Sequence, residues 1–283
     1  MDVVVSTAPP DGPTTRPFGL VPLSSVARLG LIGDVNGSTL YAIRAAKKLC
    51  QLGVRVIIQL GDLGLLNSRR DHPDLEWVNQ ELEAADQWLL FVDGNQDNFD
   101  ELLSYALHPS GLRPITSRIF HLPRGYRTRL WDFRLAALGG ASSADAWRGH
   151  WEQEAITSAD LADLGSERAE IMIGHDAPLH VRPLEDFLAS TAHRWPASGR
   201  VYARGGQETF HDGFLQVRPR VYVGSHYEHH VDTRVTYAVN GEAFETHVVL
   251  LDACGLPESK SMAILDSRTL EIRSFALIDS DQP

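Results

Sequence analysis

The chain reads as an α/β protein, with parallel strands from its N-terminal half and antiparallel strands mainly from its C-terminal half. Three observations predict this. Five short apolar runs each end in Gly with Asp, Asn or His close behind: Leu29–Ile32 before Gly33-Asp34, Val54–Leu60 before Gly61-Asp62, Leu89–Val92 before Asp93-Gly94-Asn95, Ile171–Ile173 before Gly174-His175, and Val221–Val223 before Gly224-Ser225-His226. Runs of this length and content are buried strands. A helix-period segment links the first two runs, which makes a βαβ unit with a right-handed crossover. After Pro109 the pattern changes to alternating apolar and polar residues.

In order, residues 1–25, with Ala8-Pro9-Pro10-Asp11-Gly12-Pro13, read as an extension preceding a single domain over 26–283. Val26–Ile32 is the first strand. Ser38 is the expected N-cap of a helix carrying Leu40, Ile43, Ala46 and Leu49, which Gly53 stops after Leu52. Arg55–Leu60 is the second strand. Asp62–Pro73 is a polar loop with Arg69, Arg70 and His72. Pro73 starts a helix over Asp74–Gln87, Trp88–Val92 is the third strand, and Asn98–Leu107 is a third helix. Arg118–Leu122, Tyr126–Trp131 and Phe133–Leu138 are expected as antiparallel strands. The run Gly139-Gly140-Ala141-Ser142-Ser143-Ala144-Asp145 is too polar and glycine-rich for core. The segment after it, with Trp147, Arg148, His150 and Trp151, reads as a lid over a pocket or as a patch for a partner. Pro183–Gly199 is partly helical. Val231–Tyr237, Phe244–Leu251, Ser261–Leu265 and Leu270–Arg273 alternate and predict a second, antiparallel sheet. There is no internal repeat.

Composition narrows the function. The 283 residues are 43% hydrophobic and 22% charged, which is globular. A net charge of -11 argues against an extended nucleic-acid surface. Cys50 and Cys254 have no metal-ligand spacing, so a reducing compartment without disulfides is expected. No run reaches membrane-spanning length and the N-terminus lacks a signal peptide, so a cytoplasmic location without membrane contact is expected.

Ligands in open α/β sheets bind beyond the carboxyl ends of the strands. Asp34, Asp62, Asn95, His175 and His226 are therefore placed to converge. Asp34 and Asp62 alone would also suit helix N-caps. Oxygen and imidazole donors from separate strand ends are what a two-metal site needs, with cations about 3.5–4 Å apart gripping a phosphoryl group. The ordered set Gly33-Asp34-Val35-Asn36-Gly37, Gly61-Asp62, Gly94-Asn95-Gln96-Asp97, Gly174-His175 and Ser225-His226-Tyr227-Glu228-His229 resembles the calcineurin-like metallophosphoesterase family, over about Val26–Arg273. The resemblance implies a four-layer α/β/β/α sandwich of two mixed sheets flanked by helices. It implies two divalent ions with a bridging hydroxide that attacks a phosphomonoester or phosphodiester. Asp62 would bridge the ions, Asn95, His175 and His226 would complete the second site, and Asp34 would hold the first.

The first site departs from the family pattern. Asn36 stands where the family has His, the final His aligns with Glu228 or His229, and Gln96 replaces a His near the substrate phosphate. Oxygen-rich ligands favour Mn²⁺ first, with Mg²⁺, Fe or Zn²⁺ as alternatives. Gln96 can contact phosphate but cannot deliver a proton. Slow turnover, an activated leaving group or another donor (His72, His150 or His229) is expected, since general acid–base help is worth ~10²–10⁴-fold. Arg148 is a further candidate for substrate contact, and Asp97 a helix-start residue supporting the site. The expected partner is a small phosphoester or nucleotide substrate; the oligomeric state is left open. The competing reading is a catalytically impaired relative kept as a binding module.

Overall fold

The computed structural model describes residues 23–66, 73–145, 152–256 and 258–278. Two sheets pack face to face. The first takes β1 (Arg28–Ile32), β2 (Val56–Gln59), β3 (Trp88–Phe91), β4 (Arg113–Pro114), β5 (Ile119–His121), β12 (Met262–Asp266) and β13 (Ile272–Phe275), in the order β13-β12-β1-β2-β3-β5-β4. The second takes β6 (Arg127–Leu130), β7 (Phe133–Leu138), β8 (Ile171–Gly174), β9 (Val221–Gly224), β10 (Val231–Val239) and β11 (Glu242–Leu250), in the order β10-β11-β9-β8-β7-β6.

The central core lies between the sheets. It joins Leu29, Leu31, Val56 and Ile58 of one to Leu135, Ile171, Val221 and Val249 of the other. A second cluster packs α1 (Thr39–Gln51), α2 (Pro73–Ala84) and α3 (Phe99–Ser104) on the outside of the first sheet. A third packs α4 (Ser158–Leu164), α5 (Arg182–Thr191) and α6 (Ala197–Val217) on the outside of the second. Strands buried on both faces explain the unbroken apolar runs of β1, β2, β3, β8 and β9. This is the four-layer α/β/β/α arrangement.

The partition of the strands differs from expectation. The parallel run β1-β2-β3 is found, but β5 joins it in parallel beside β3 rather than starting an antiparallel sheet. The second sheet is parallel at its centre, through β7, β8, β9 and β11, with β6 and β10 antiparallel at its edges. β12 and β13 pair with each other but belong to the first sheet, where β12 lies antiparallel to β1. Alternation marks which face of a strand is buried, not which neighbour it pairs with. The sequence predicts the 21-residue α6 only at its start, and α4, opened by a Thr157/Asp160 capping box, not at all. Ser38 precedes α1 without a side-chain cap bond, so that helix rests on its buried face of Ala42, Ile43, Ala46 and Leu49. Among the described residues no helix is long and apolar enough to cross a membrane.

Candidate metal centre

The strand ends deliver their polar residues to one place. Asp34 follows β1, Asp62 follows β2, Asn95 follows β3, His175 follows β8 and His226 follows β9. All except the half-buried His226 are at most 2% exposed. Ligand atoms of Asp62, His175 and His226 lie within 4.8 Å of one another. Asn95 Oδ1 is 3.1 Å from His175 Nε2, and Asp62 Oδ2 is 3.5 Å from the same nitrogen. Asp34 Oδ1 stands 3.8 Å from the other ring nitrogen, Nδ1.

The backbone is bent to make this possible. Asp62 has φ 56°, His226 φ 69°, Asn36 φ 51° and Glu228 φ 48°, all left-handed. Non-glycine residues seldom adopt that region, though Asp, Asn and His do so more readily than most. Gly61 has φ 97°, and a Cβ there would stand 2.3 Å from His175 Nδ1, so only glycine admits the imidazole. The Asp62 carbonyl accepts the amides of Val35 and Asn36, at 3.2 and 2.8 Å, and its Oδ1 accepts that of Gln96 at 2.7 Å. Ser225 donates its hydroxyl to Asp34 Oδ1 at 2.5 Å, and the His226 amide donates to the same oxygen at 3.2 Å.

Electrostatics follow from crowding. Nδ1 of His175 donates to the Leu60 carbonyl at 2.7 Å, which turns Nε2 toward Asp62 and Asn95. Burial alone would discharge this ring, but the Asp62 and Asp34 carboxylates lift its pKa to about 10. His226 goes the other way, to about 3, through burial and the charge on His175. Burial and the Asp62 charge push Asp34 up, against the pull of His175. Burial also acts on Asp62, but His175 and the Gln96 amide outweigh it and hold that carboxyl low. Carboxylate, amide and imidazole acceptors that face one another in a buried space form a donor set suited to a divalent cation.

The remaining candidates are placed as follows. Asn36, Gln96 and Glu228 are exposed beside this group. Burial first, then the charges of Asp34 and Glu228, raise the Cys254 thiol, whose own amide donates to the Asp34 carbonyl. His229 stacks on Phe187 of α5, with ring centroids 4.0 Å apart and planes 3° from parallel. Asp97 is buried and accepts the amides of Gly64 and Gly94 at 2.9 and 2.8 Å, which ties the loops after β2 and β3 together. Arg69, Arg70, His72, Trp147, Arg148, His150 and Trp151 lie outside the described residues.

Sequence reasoning missed the supports. Ser225 gave no signal beyond its place before His226. Asp93, 2% exposed, pairs with Arg124 at 2.8 Å and His121 at 3.1 Å just before the Asn95 loop. A carboxylate inside an otherwise apolar strand end was the available hint.

No known family model matches the chain, and no curated protein does. Several solved structures are similar over most of the chain. A Thermus thermophilus protein is 16% identical at TM-score 0.49, over 90% of this chain and 100% of its own. A dimetal phosphatase from Danio rerio is 16% identical at TM-score 0.48, over 90% and 97%. An archaeal phosphodiesterase is 15% identical at TM-score 0.39, over 88% and 99%. The two mixed sheets flanked by helices are the four-layer arrangement expected from the sequence. At these identities the likeness concerns the fold and not the chemistry.

Proposed function

We propose that the protein is a metal-dependent phosphoester hydrolase acting on small phosphomonoesters or phosphodiesters, nucleotides included. One observation carries this: Asp62, His175 and His226, from three separate strand ends, bring ligand atoms within 4.8 Å of one another, with Asn95 beside them. These four residues would hold one divalent cation. Asp34 and Asp62, with Asn36 and Glu228 at the rim, would hold a second. Mn²⁺ suits so oxygen-rich a set. Bound there, divalent cations would polarise the phosphoryl group and activate water for in-line attack.

The chain's own residues do the rest. Leu60 orients His175 through Nδ1, so that Nε2 serves as the ligand atom. Ser225 and the His226 amide fix Asp34, and the Gln96 amide fixes Asp62. The exposed Gln96 side chain is assigned to substrate phosphate, as is Arg148. Gln96 holds no proton to give, so substrates with good leaving groups should turn over fastest.

The test is hydrolysis of bis(4-nitrophenyl) phosphate in millimolar Mn²⁺. Turnover that vanishes in Asp62→Ala and on chelation supports the proposal. A protein that binds Mn²⁺ yet turns over no phosphoester would instead be the non-catalytic binding module, the reading that Asn36 and Gln96 favour. Fewer than one bound ion in millimolar Mn²⁺ sinks both metal readings.

A further inference from the structure

The pole of the sandwich away from the metal centre holds a cleft of about 1040 Å³ that wraps around the turn between β12 and β13. It begins at Arg28, the first residue of β1, roughly 20 Å along the strand from Asp34 at ~3.3 Å per residue. The two sites are therefore separate.

Strand register shows how the cleft is built. Arg28 lies opposite Asp266, and Arg273 lies opposite Ile264. Ile264 and Asp266 are two apart on β12, so Arg28 and Arg273 share one face of the first sheet. Phe275, two residues on from Arg273, is on that face as well. Lys48 reaches it from the last turn of α1, and Leu52 follows that helix. Ile264, Phe275 and Leu52 thus give an apolar floor, with Arg28, Lys48 and Arg273 around it. Arg220, before β9, and Arg234 of β10 line the other side.

The charge balance here is the reverse of the molecule's. Five lining residues are Arg or Lys and three are Asp or Glu, whereas the whole chain has 26 and 37. Some of this charge is already engaged. Arg234 pairs with Glu245 at 3.1 Å, and Asp266 accepts the amides of Arg268 and Thr269 at 2.8 and 3.2 Å. Arg28 donates to the Leu52 carbonyl at 3.3 Å. Lys48, Arg220 and Arg273 have no carboxylate partner among the described residues. Cations kept unpaired around an apolar floor, in an acidic protein, suit a compact anion with a flat apolar part. A long polyanion would meet the repulsion of the rest of the surface. The volume is at the upper end of the roughly 300–1,000 Å³ of small-molecule clefts.

We infer that this cleft is a second, non-catalytic site for a nucleotide, with phosphates on Lys48, Arg28 and Arg273 and the base over Ile264 and Phe275. The inference does not depend on hydrolysis at the metal centre.

Calorimetric titration of the full chain with ADP in excess chelator tests it, with pyrophosphate as the second probe. One ADP should bind, with the same affinity in wild type and Asp62→Ala. Lys48→Ala and Arg273→Ala should each weaken it about tenfold, the usual effect of losing a charge-assisted bond, with unchanged circular dichroism and melting. Pyrophosphate should bind more weakly than ADP. The inference is overturned by no binding at millimolar ADP, or by affinity unchanged in both cleft variants. Equal affinity for pyrophosphate, which would mean a bare anion patch, overturns it as well. So does loss of binding in Asp62→Ala, which would place the ligand at the metal centre.

Discussion

Asp62 shapes the centre through its backbone as much as through its carboxylate. Its left-handed φ of 56° lets one carbonyl take two amides from the loop after β1 while the side chain turns to His175. Gly94 lies directly beneath it. A Cβ at Gly94 would stand 2.1 Å from Asp62 Oδ1 and 2.2 Å from Asp62 N, and rigid backbone cannot give way. Gly94→Ala should therefore weaken Mn²⁺ binding by about 10–100-fold, the scale seen when groups that support a ligand are disturbed. Unchanged affinity in a metal titration would show that Asp62 relaxes freely. The convergence of Asp34, Asp62, Asn95, His175 and His226 was legible in the sequence, because each follows an apolar run and a glycine. Ser225 and the Leu60 carbonyl were not, because their partners come from strands far apart in the chain.

Arg124 joins two elements. It pairs with Asp93 at the end of β3 and donates to the carbonyls of Gln153, Glu154 and Ala155, at 2.8, 3.0 and 2.8 Å. It thereby fastens the stretch before α4 to the strand that leads into Asn95. The pair is almost fully buried, with side chains 11% and 2% exposed. Removing one partner of such a pair costs about 3–5 kcal/mol. Arg124→Ala should lose that much in urea unfolding, and a loss below 1 kcal/mol would deny the link. α6 offers the opposite case. A Cβ at Gly205 meets nothing within 4 Å, so Gly205→Ala should stabilise by about 0.5–1 kcal/mol through helix propensity. Its neighbour Gly206 faces the Ser142 side chain, and Gly199 the Ala144 carbonyl, so neither would tolerate the change. The glycines of α6 break the helical pattern in the sequence, and for Gly199 and Gly206 the reason is a close approach by the 139–145 loop. The partition of strands was hidden for a related reason. β5 looks the same in sequence whether its neighbour runs parallel or antiparallel.

At the scale of the molecule, acid stability should report on the second sheet's helical layer. His211 of α6 is 9% exposed, and its Nδ1 has no hydrogen-bond partner among the described residues. Its ring faces His180, Phe214 and Tyr237, with Asp212 and Arg204 acting from its own helix. Burial first, then His180, lowers its pKa to about 4. The unfolded chain binds this proton from about pH 6.5 downward. The stabilisation is thus complete above 6.5 and is lost as pH falls toward 4. The difference between pH 8 and pH 5 should be about 2 kcal/mol, and His211→Phe should remove that part of the slope. An unaltered slope in the variant would assign acid sensitivity to other groups. The pairing of β1 with β12 sets a different limit, one of time. The first sheet stays open on one side until the β12–β13 hairpin, about 230 residues after β1, has left the ribosome, because that hairpin flanks β1. Contacts so distant in sequence form slowly. Nascent chains stalled before Met262 should therefore stay sensitive to protease and draw chaperones, and full-length ones should not.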